Sequence, residues 1–274
     1  MNKYQITFLL LSTLAIAAVS GCSTYGPDFG AEDIEYFSGE YEADNNTTLN
    51  VINVNGQIEI NSWDGDKVVL EAIKRTFYGE DELQKVHIIV NRIDDELKVE
   101  TKYPAIENVR VSVDMKIKVP ENVTVDIIET TNGNIVISDT KGNTTAITTN
   151  GAITITNVDG YIKARSSNGA LDIRGTTGID ELKTTNGKIE AQIFDIKDDV
   201  DIRCTNGAIT IYIDPSLNAE IEMETTNGYI SVNEVELVVT KMETTQVEGI
   251  LGEGGNKIDI RTTNGYVNLN KLVV

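Results

Sequence analysis

The sequence predicts an all-β fold: a β-solenoid (β-helix) of roughly 18–20-residue two-strand coils, preceded by a less regular β-strand region. Three observations carry this expectation. A [Ser/Thr]-[Ser/Thr]-Asn-Gly step recurs at Thr130–Gly133, Thr148–Gly151, Ser166–Gly169, Thr184–Gly187, Thr225–Gly228 and Thr262–Gly265, with a Cys variant at Cys204–Gly207. Its asparagines, Asn132, Asn150, Asn168, Asn186, Asn206, Asn227 and Asn264, lie 18, 18, 18, 20, 21 and 37 residues apart. The second and fourth residues after each glycine are apolar, from Ile135/Ile137 and Ile153/Ile155 to Val267/Leu269, which is the alternation of a strand with one buried face. Stacked coils explain the fixed period, because a single coil cannot bury its own apolar face.

In chain order, Lys3 and the apolar run Ile6–Val19 read as a signal peptide over residues 1–21. The run is shorter than the roughly 20 residues a membrane span needs. Val19-Ser20-Gly21-Cys22 resembles the bacterial lipobox, which implies cleavage before Cys22 and lipidation of that cysteine. Ser23 after it implies outer-membrane sorting in a Gram-negative envelope. Membrane attachment would then rest on acyl chains, each buried methylene contributing about 0.8 kcal/mol. With Cys22 lipidated, Cys204 has no partner and no disulfide is expected. Residues 22–46, with Gly26, Pro27, Gly30 and Gly39 among several acids, read as a tether.

Residues 47–126 read as an N-terminal β region. Leu49–Val54 leads into an isolated Asn55-Gly56, and Ile58 and Ile60 alternate ahead of a turn at Asp64-Gly65-Asp66. That turn lacks the spaced acids and terminal glutamate of an EF-hand loop. Glu80–Lys85 has weak helical character, and Asp94-Asp95 joins two strands as a hairpin. Pro120 closes a strand, since it cannot donate to a ladder. Residues 127–274 form the solenoid, and a worn copy at Thr244-Thr245-Gln246 divides the 37-residue gap into two coils of 19 and 18.

The coil has a readable inner order. Gly133, Gly151 and Gly169 are each followed nine residues later by another glycine, so a coil is two nine-residue halves. Counting by twos from Ala146 turns Thr148 and Asn150 inward. The inward slot then holds Thr130, Thr148, Ser166, Thr184, Cys204, Thr225 and Thr262, which makes Cys204 a small residue in a small-residue column rather than a reactive thiol. The asparagines are expected to ladder at the corner. Gly133, Gly151, Gly169, Gly187, Gly207, Gly228 and Gly265 are expected to supply a positive φ there.

Outward-facing positions are the better place to look for function. Ala152, Thr154, Ala170, Ala208 and Thr210 are expected to make a flat strip with Tyr229 and Tyr266 near its C-terminal end. Such a strip is a candidate surface for a glycan or another protein, with an ordinary solvated face as the alternative. Leu269, Leu272, Val273 and Val274 end the chain without a polar cap, so this end is expected either to fold over or to be covered by a partner.

Composition excludes several classes. Against 23 Lys and Arg stand 43 Asp and Glu, a net charge of −20, which argues against nucleic acid and against adsorption to anionic lipid. A single histidine, His87, sits in an apolar strand and reads as structural, and with one further cysteine there is no Cys/His metal cluster and no histidine-based triad. No metal and no cofactor is expected. Paired carboxylates of the glycosidase kind depend on a separation that sequence does not give.

Val54–Ala72 and the passage from Ile117-Lys118-Val119-Pro120 to Thr131-Asn132-Gly133-Asn134-Ile135-Val136-Ile137 resemble the DUF4097 family, whose members carry an adhesin label. The resemblance covers about residue 47 to the C-terminus. It implies a β-helical, surface-exposed protein tethered to the envelope, and it brings no catalytic residues. The leading expectation is a non-catalytic envelope lipoprotein that displays a surface for adhesion or partner binding. An envelope-stress or sensory component is the alternative, and a polysaccharide-active β-helix enzyme a third.

Overall fold

The structure is a computed structural model and describes residues 31–105 and 108–273. The expected signal peptide, Cys22 and Val274 lie outside these residues. In chain order the elements are β1 (Asp33–Glu42), β2 (Thr48–Ile52), β3 (Ile58–Trp63), β4 (Lys67–Thr76), a one-turn helix α1 (Glu80–Leu83), β5 (His87–Ile93), β6 (Glu96–Lys102) and β7 (Ser112–Pro120). The repetitive part follows as β8 (Thr124–Asn132), β9 (Ile135–Ser138), β10 (Thr145–Asn150), β11 (Ile153–Thr156), β12 (Tyr161–Asn168), β13 (Leu171–Arg174), β14 (Gly178–Asn186) and β15 (Ile189–Ile193). The last elements are β16 (Val200–Asn206), β17 (Ile209–Ile213), β18 (Ala219–Asn227), β19 (Ile230–Asn233), β20 (Leu237–Met242), β21 (Gln246–Leu251), β22 (Lys257–Asn264) and β23 (Val267–Lys271).

Two sheets share one core. Sheet A runs β1-β4-β7-β3-β9-β11-β13-β15-β17-β23-β19, and sheet B runs β20-β21-β18-β22-β16-β14-β12-β10-β8-β2-β6-β5. The coil strands are parallel and in register, so that Ile153 pairs with Leu171, and Ala146 with Ala164. The alternating apolar residues Ile135, Ile137, Ile155, Ile173, Ile189 and Ile211 are all buried, as are Ala146, Ala164, Leu182, Ile202 and Met223 from the other half-coil. Each buried Ile, Leu or Val side chain contributes roughly 1.5–3 kcal/mol, and the neighbouring coil is what provides the burial.

Six expectations are corrected. Asn55-Gly56 is not isolated: β2 and β3 form the first coil, pairing with β8 and β9. The stretch expected to be a tether contains β1, which pairs antiparallel with β4 over ten residues. Phe37 and Tyr41 of β1 pack on the core while Ile34 and Tyr36 point out, so the strand shows no clean apolar alternation in sequence. The Thr244-Thr245-Gln246 copy is not a coil, because β20 and β21 pair antiparallel and Thr244-Thr245 lies in their turn. The turn still caps the neighbouring corner, with Ile230 N–H donating to the Thr244 carbonyl at 3.2 Å and Thr225 N–H to that of Thr245 at 2.9 Å.

The fourth correction is topological. β22 pairs with both β16 and β18, and β23 with both β17 and β19, so the last coil in sequence is inserted one place inside the stack. The chain end is therefore not the end of the solenoid. Leu269 is buried, and the Leu272 N–H reaches the Ile213 carbonyl at 2.9 Å.

The corner explains the recurrent motif. Eight asparagines ladder without a break: Asn132 donates to Asn55, Asn150 to Asn132, Asn168 to Asn150, Asn186 to Asn168, Asn206 to Asn186, Asn264 to Asn206 and Asn227 to Asn264, at 2.7–2.9 Å. These side chains are exposed, not inward as the alternation implied, because the burial alternation breaks at the last two residues of each repeat strand, both of which are exposed. The inward slot does hold the hydroxyl column. Thr148 donates to the Gly133 carbonyl at 2.9 Å, Ser166 to Gly151 at 2.9 Å and Thr184 to Gly169 at 2.8 Å, and the Cys204 thiol takes the same place on Gly187 at 3.1 Å.

The glycines do a different job from the one expected. Gly56 has a φ of 121°, but Gly151 and its coil-mates Gly133, Gly169, Gly187, Gly228 and Gly265 lie outside the left-handed range. A Cβ at Gly151 would fall well inside contact distance of the Gly133 carbonyl, and the same clash repeats at each rung. At these six corners glycine is needed for close backbone approach and not for φ, whereas Gly207 has a φ of 158° as well as the close approach.

Candidate interaction face

The outer face of sheet B is a charge zipper. Arg165 on β12 pairs with Glu181 on β14, Lys183 reaches Asp201 on β16 at 2.8 Å, Arg203 reaches Asp259 on β22 at 2.9 Å, and Arg261 reaches Glu222 on β18 at 2.7 Å. Hydrogen bonding from Arg165, with further help from Lys183 against the opposing effect of burial, pulls the Glu181 carboxyl down to about 2. Hydrogen bonding to Glu181 pushes Arg165 above its ordinary value, bonding to Asp201 and Glu181 does so for Lys183, and bonding to Asp259 for Arg261.

Sheet A changes character along its length. In its middle, Arg174 contacts Asp172 at 2.6 Å and Glu190 at 2.7 Å, and Lys188 contacts Glu190 at 3.1 Å. Beyond β15 the outward positions carry no charge, and the one charged residue of β23, Lys271, ends that strand. The outward positions are Ala208 just ahead of β17 with Thr210 and Tyr212 on it, Tyr266 just ahead of β23 with Asn268 and Asn270 on it, and Tyr229 just ahead of β19 with Ser231 and Asn233 on it. Tyr229 and Tyr266 stack with centroids 5.6 Å apart and planes at 19°. Ser231 donates to Asn268 at 2.5 Å and Asn233 to Asn270 at 2.9 Å, extending the ladder arrangement across the face.

The expected interaction strip therefore divides. Ala152 and Thr154 on β11 and Ala170 on β13 form one group, and Ala208, Thr210, Tyr266 and Tyr229 another, with Lys188 and Glu190 of β15 standing between them. Tyr212, Asn233 and Asn270 join the second group and were not singled out in sequence. Tyr229 and Tyr266 become neighbours only because β23 inserts beside β19, although they are 37 residues apart. A groove of about 250 Å³ borders this group and is lined by Arg174, Glu190, Gln192, Tyr212 and Lys271.

Other candidate chemistry is spoken for. Among the described residues, no group of three or more His, Cys, Asp or Glu side chains could hold a metal ion. His87 is exposed on the edge strand β5. Burial pushes the Cys204 thiol up, away from thiolate reactivity. Asp64-Gly65-Asp66 is a turn, bridged by the Trp63 indole N–H donating to the Lys67 carbonyl at 2.9 Å. A second groove, about 550 Å³, lies at the other end of the stack, where Arg75 pairs with Asp114 and Arg110 sits over the Tyr78 ring at 4.6 Å.

Fold and surface together define a class: an all-β, solenoid-type protein of parallel coils whose outer slots vary while its corners repeat. The chain belongs to the DUF4097 family, described as Toastrack, whose profile matches residues 30–270. Among solved structures it is similar to one described as a candidate cell adhesion protein from Clostridium sporogenes, at 15% identity and a TM-score of 0.40, covering 88% of this chain and 100% of that one. It is also similar to a candidate adhesin from Bacteroides fragilis, at 12% identity and a TM-score of 0.40, covering 87% of this chain and 97% of that one. A candidate adhesin from Parabacteroides merdae gives 12% identity and a TM-score of 0.38 with the same coverage. No curated protein matches the chain. No helix of the described residues is long and apolar enough to cross a membrane.

Proposed function

We propose that the chain is exported, held at the cell envelope by lipid on Cys22, and acts without catalysis as an adhesion or partner-binding protein through the uncharged end of sheet A. One observation carries this reading. In a chain with 43 acidic residues, nine outward positions on three adjacent strands and the residues just ahead of them hold none, and two of them are exposed, stacked tyrosines. Tyrosine offers a large, stiff contact surface with one polar tip, and an uncharged patch is cheap to desolvate.

The stack also supports it. β1, the first strand after the anchor, is the opposite edge of sheet A from β19. Ten inter-strand steps of about 4.8 Å put the tyrosines some 50 Å along the sheet from that edge. An anchor at one end thus displays the uncharged face at the other.

The test is expression of the full chain in a bacterial host, followed by fractionation and by adherence to immobilised envelope and matrix components. Cys22→Ala is expected to move the protein out of the membrane fraction. The double substitution Tyr229→Ala/Tyr266→Ala is expected to leave it there while lowering adherence, and unchanged adherence would sink the reading.

A further inference from the structure

We propose that the ligand of this face is a neutral glycan, with one sugar ring stacked on the open face of Tyr229; this rests on the uncharged end of sheet A being the binding surface. Two rows terminate together there. β19 is the last strand of sheet A, so the Tyr229 ring face turned away from Tyr266 has no further strand of that sheet over it, and Tyr229 is 53% exposed. Two residues earlier, Asn227 ends the asparagine ladder. Its Nδ2 donates to Asn264 at 2.9 Å, while its own Oδ1 receives no hydrogen bond from the described residues.

The next rung is filled by the Thr244-Thr245 turn, which bonds through backbone carbonyls and adds neither an aromatic ring nor a side-chain amide. Glu243 in that turn is paired with Lys241 at 3.6 Å. What remains is an apolar ring face beside an unfilled carbonyl acceptor, with Ser231 and Asn268 further along the strands. A sugar ring has the matching chemistry, an apolar C–H face and hydroxyls that donate. A cation also stacks on tyrosine, but it gains most beside a carboxylate, and none stands among the outward residues of β17, β23 and β19. An anionic ligand finds no Lys or Arg among these outward residues, and Lys271 lies at the opposite end of β23 from Tyr266.

The test uses the full chain in a polyoxyethylene detergent, which carries no sugar. It is titrated with neutral linear hexasaccharides (a β-glucan, a mannan and a galactan), a uronate hexasaccharide and an oligolysine peptide, and read by saturation-transfer NMR. A neutral hexasaccharide is expected to receive magnetisation on its ring C–H protons. Its affinity is expected to fall about tenfold in Tyr229→Ala and to hold within about twofold in Tyr229→Phe, which keeps the ring face. An unchanged melting temperature in both variants excludes unfolding as the cause. The proposal is overturned if the uronate or the peptide binds more tightly than every neutral glycan, or if Tyr229→Ala binds glycan as well as the parent. If no glycan binds but cell adherence still depends on Tyr229, the glycan proposal falls and the binding surface stands. If adherence ignores Tyr229 as well, both fall.

Discussion

On sheet B a basic row (Arg165, Lys183, Arg203, Arg261) and an acidic row (Glu181, Asp201, Asp259, Glu222) close into one zipper, whereas the outward residues at the β17, β23 and β19 end of sheet A carry no charge. Both faces hang on the same backbone. The inserted coil contributes to each, with Asp259 and Arg261 in the zipper and Tyr266 and Asn268 on the neutral face. The difference shows which slots of a coil are constrained. Corner and inner positions answer to stacking, and outer positions are free to be filled for another purpose.

The comparison can be broken at its shared support. Gly265→Ala places a Cβ against the Gly207 carbonyl, a backbone atom that cannot step aside. It is expected to cost about 3 kcal/mol or more and to loosen both faces, read from urea unfolding and from hydrogen exchange on β16 and β17. Removing one face alone should cost less. Glu181, lowered from 4.5 to about 2, stabilises the fold above its unfolded value, and that contribution fades as pH falls towards 2. Glu181→Gln is therefore expected to cost about 1–2 kcal/mol near neutral pH after allowance for solvent screening. Parent and variant should converge in urea titrations as pH is lowered from 4.5 to about 2.

Smaller effects sharpen the contrast. Asn168→Ala interrupts the ladder between Asn150 and Asn186. It should cost about 1 kcal/mol by thermal melting, since the partners stay hydrated. Asn268→Glu puts a charge on the neutral face. Stability should change by less than about 0.5 kcal/mol, while binding to any neutral ligand drops. A variant that binds as before would mean that the absence of charge on this face does not matter.

Much of this was legible in the sequence, for reasons that also mark its limits. The period of the Asn-Gly step gave coil length, register and the hydroxyl column, because in-register stacking forces equivalent residues into rows. The period says nothing about the order in which rows are stacked, so the 37-residue gap read as two coils when it holds a hairpin, and Tyr229 and Tyr266 were not seen as a pair. The glycines were assigned a local cause, φ, when the cause is a neighbour that sequence does not reveal. β1 was missed because its stabilisation lies in pairing with β4 and in only two half-buried aromatics, Phe37 and Tyr41.

The inserted coil sets a rule for assembly. A chain made from its N-terminus presents β18, β19 and the β20–β21 hairpin before β22 and β23 exist, yet the finished stack seats the later pair beneath the earlier one. Coil-by-coil growth, the usual route for repeat proteins, cannot complete this molecule. In the finished stack β18 reaches β16 only through β22, and β19 reaches β17 only through β23. Without β22 and β23, Ile202 and Ile209 lack their cover from Ile260 and Val267.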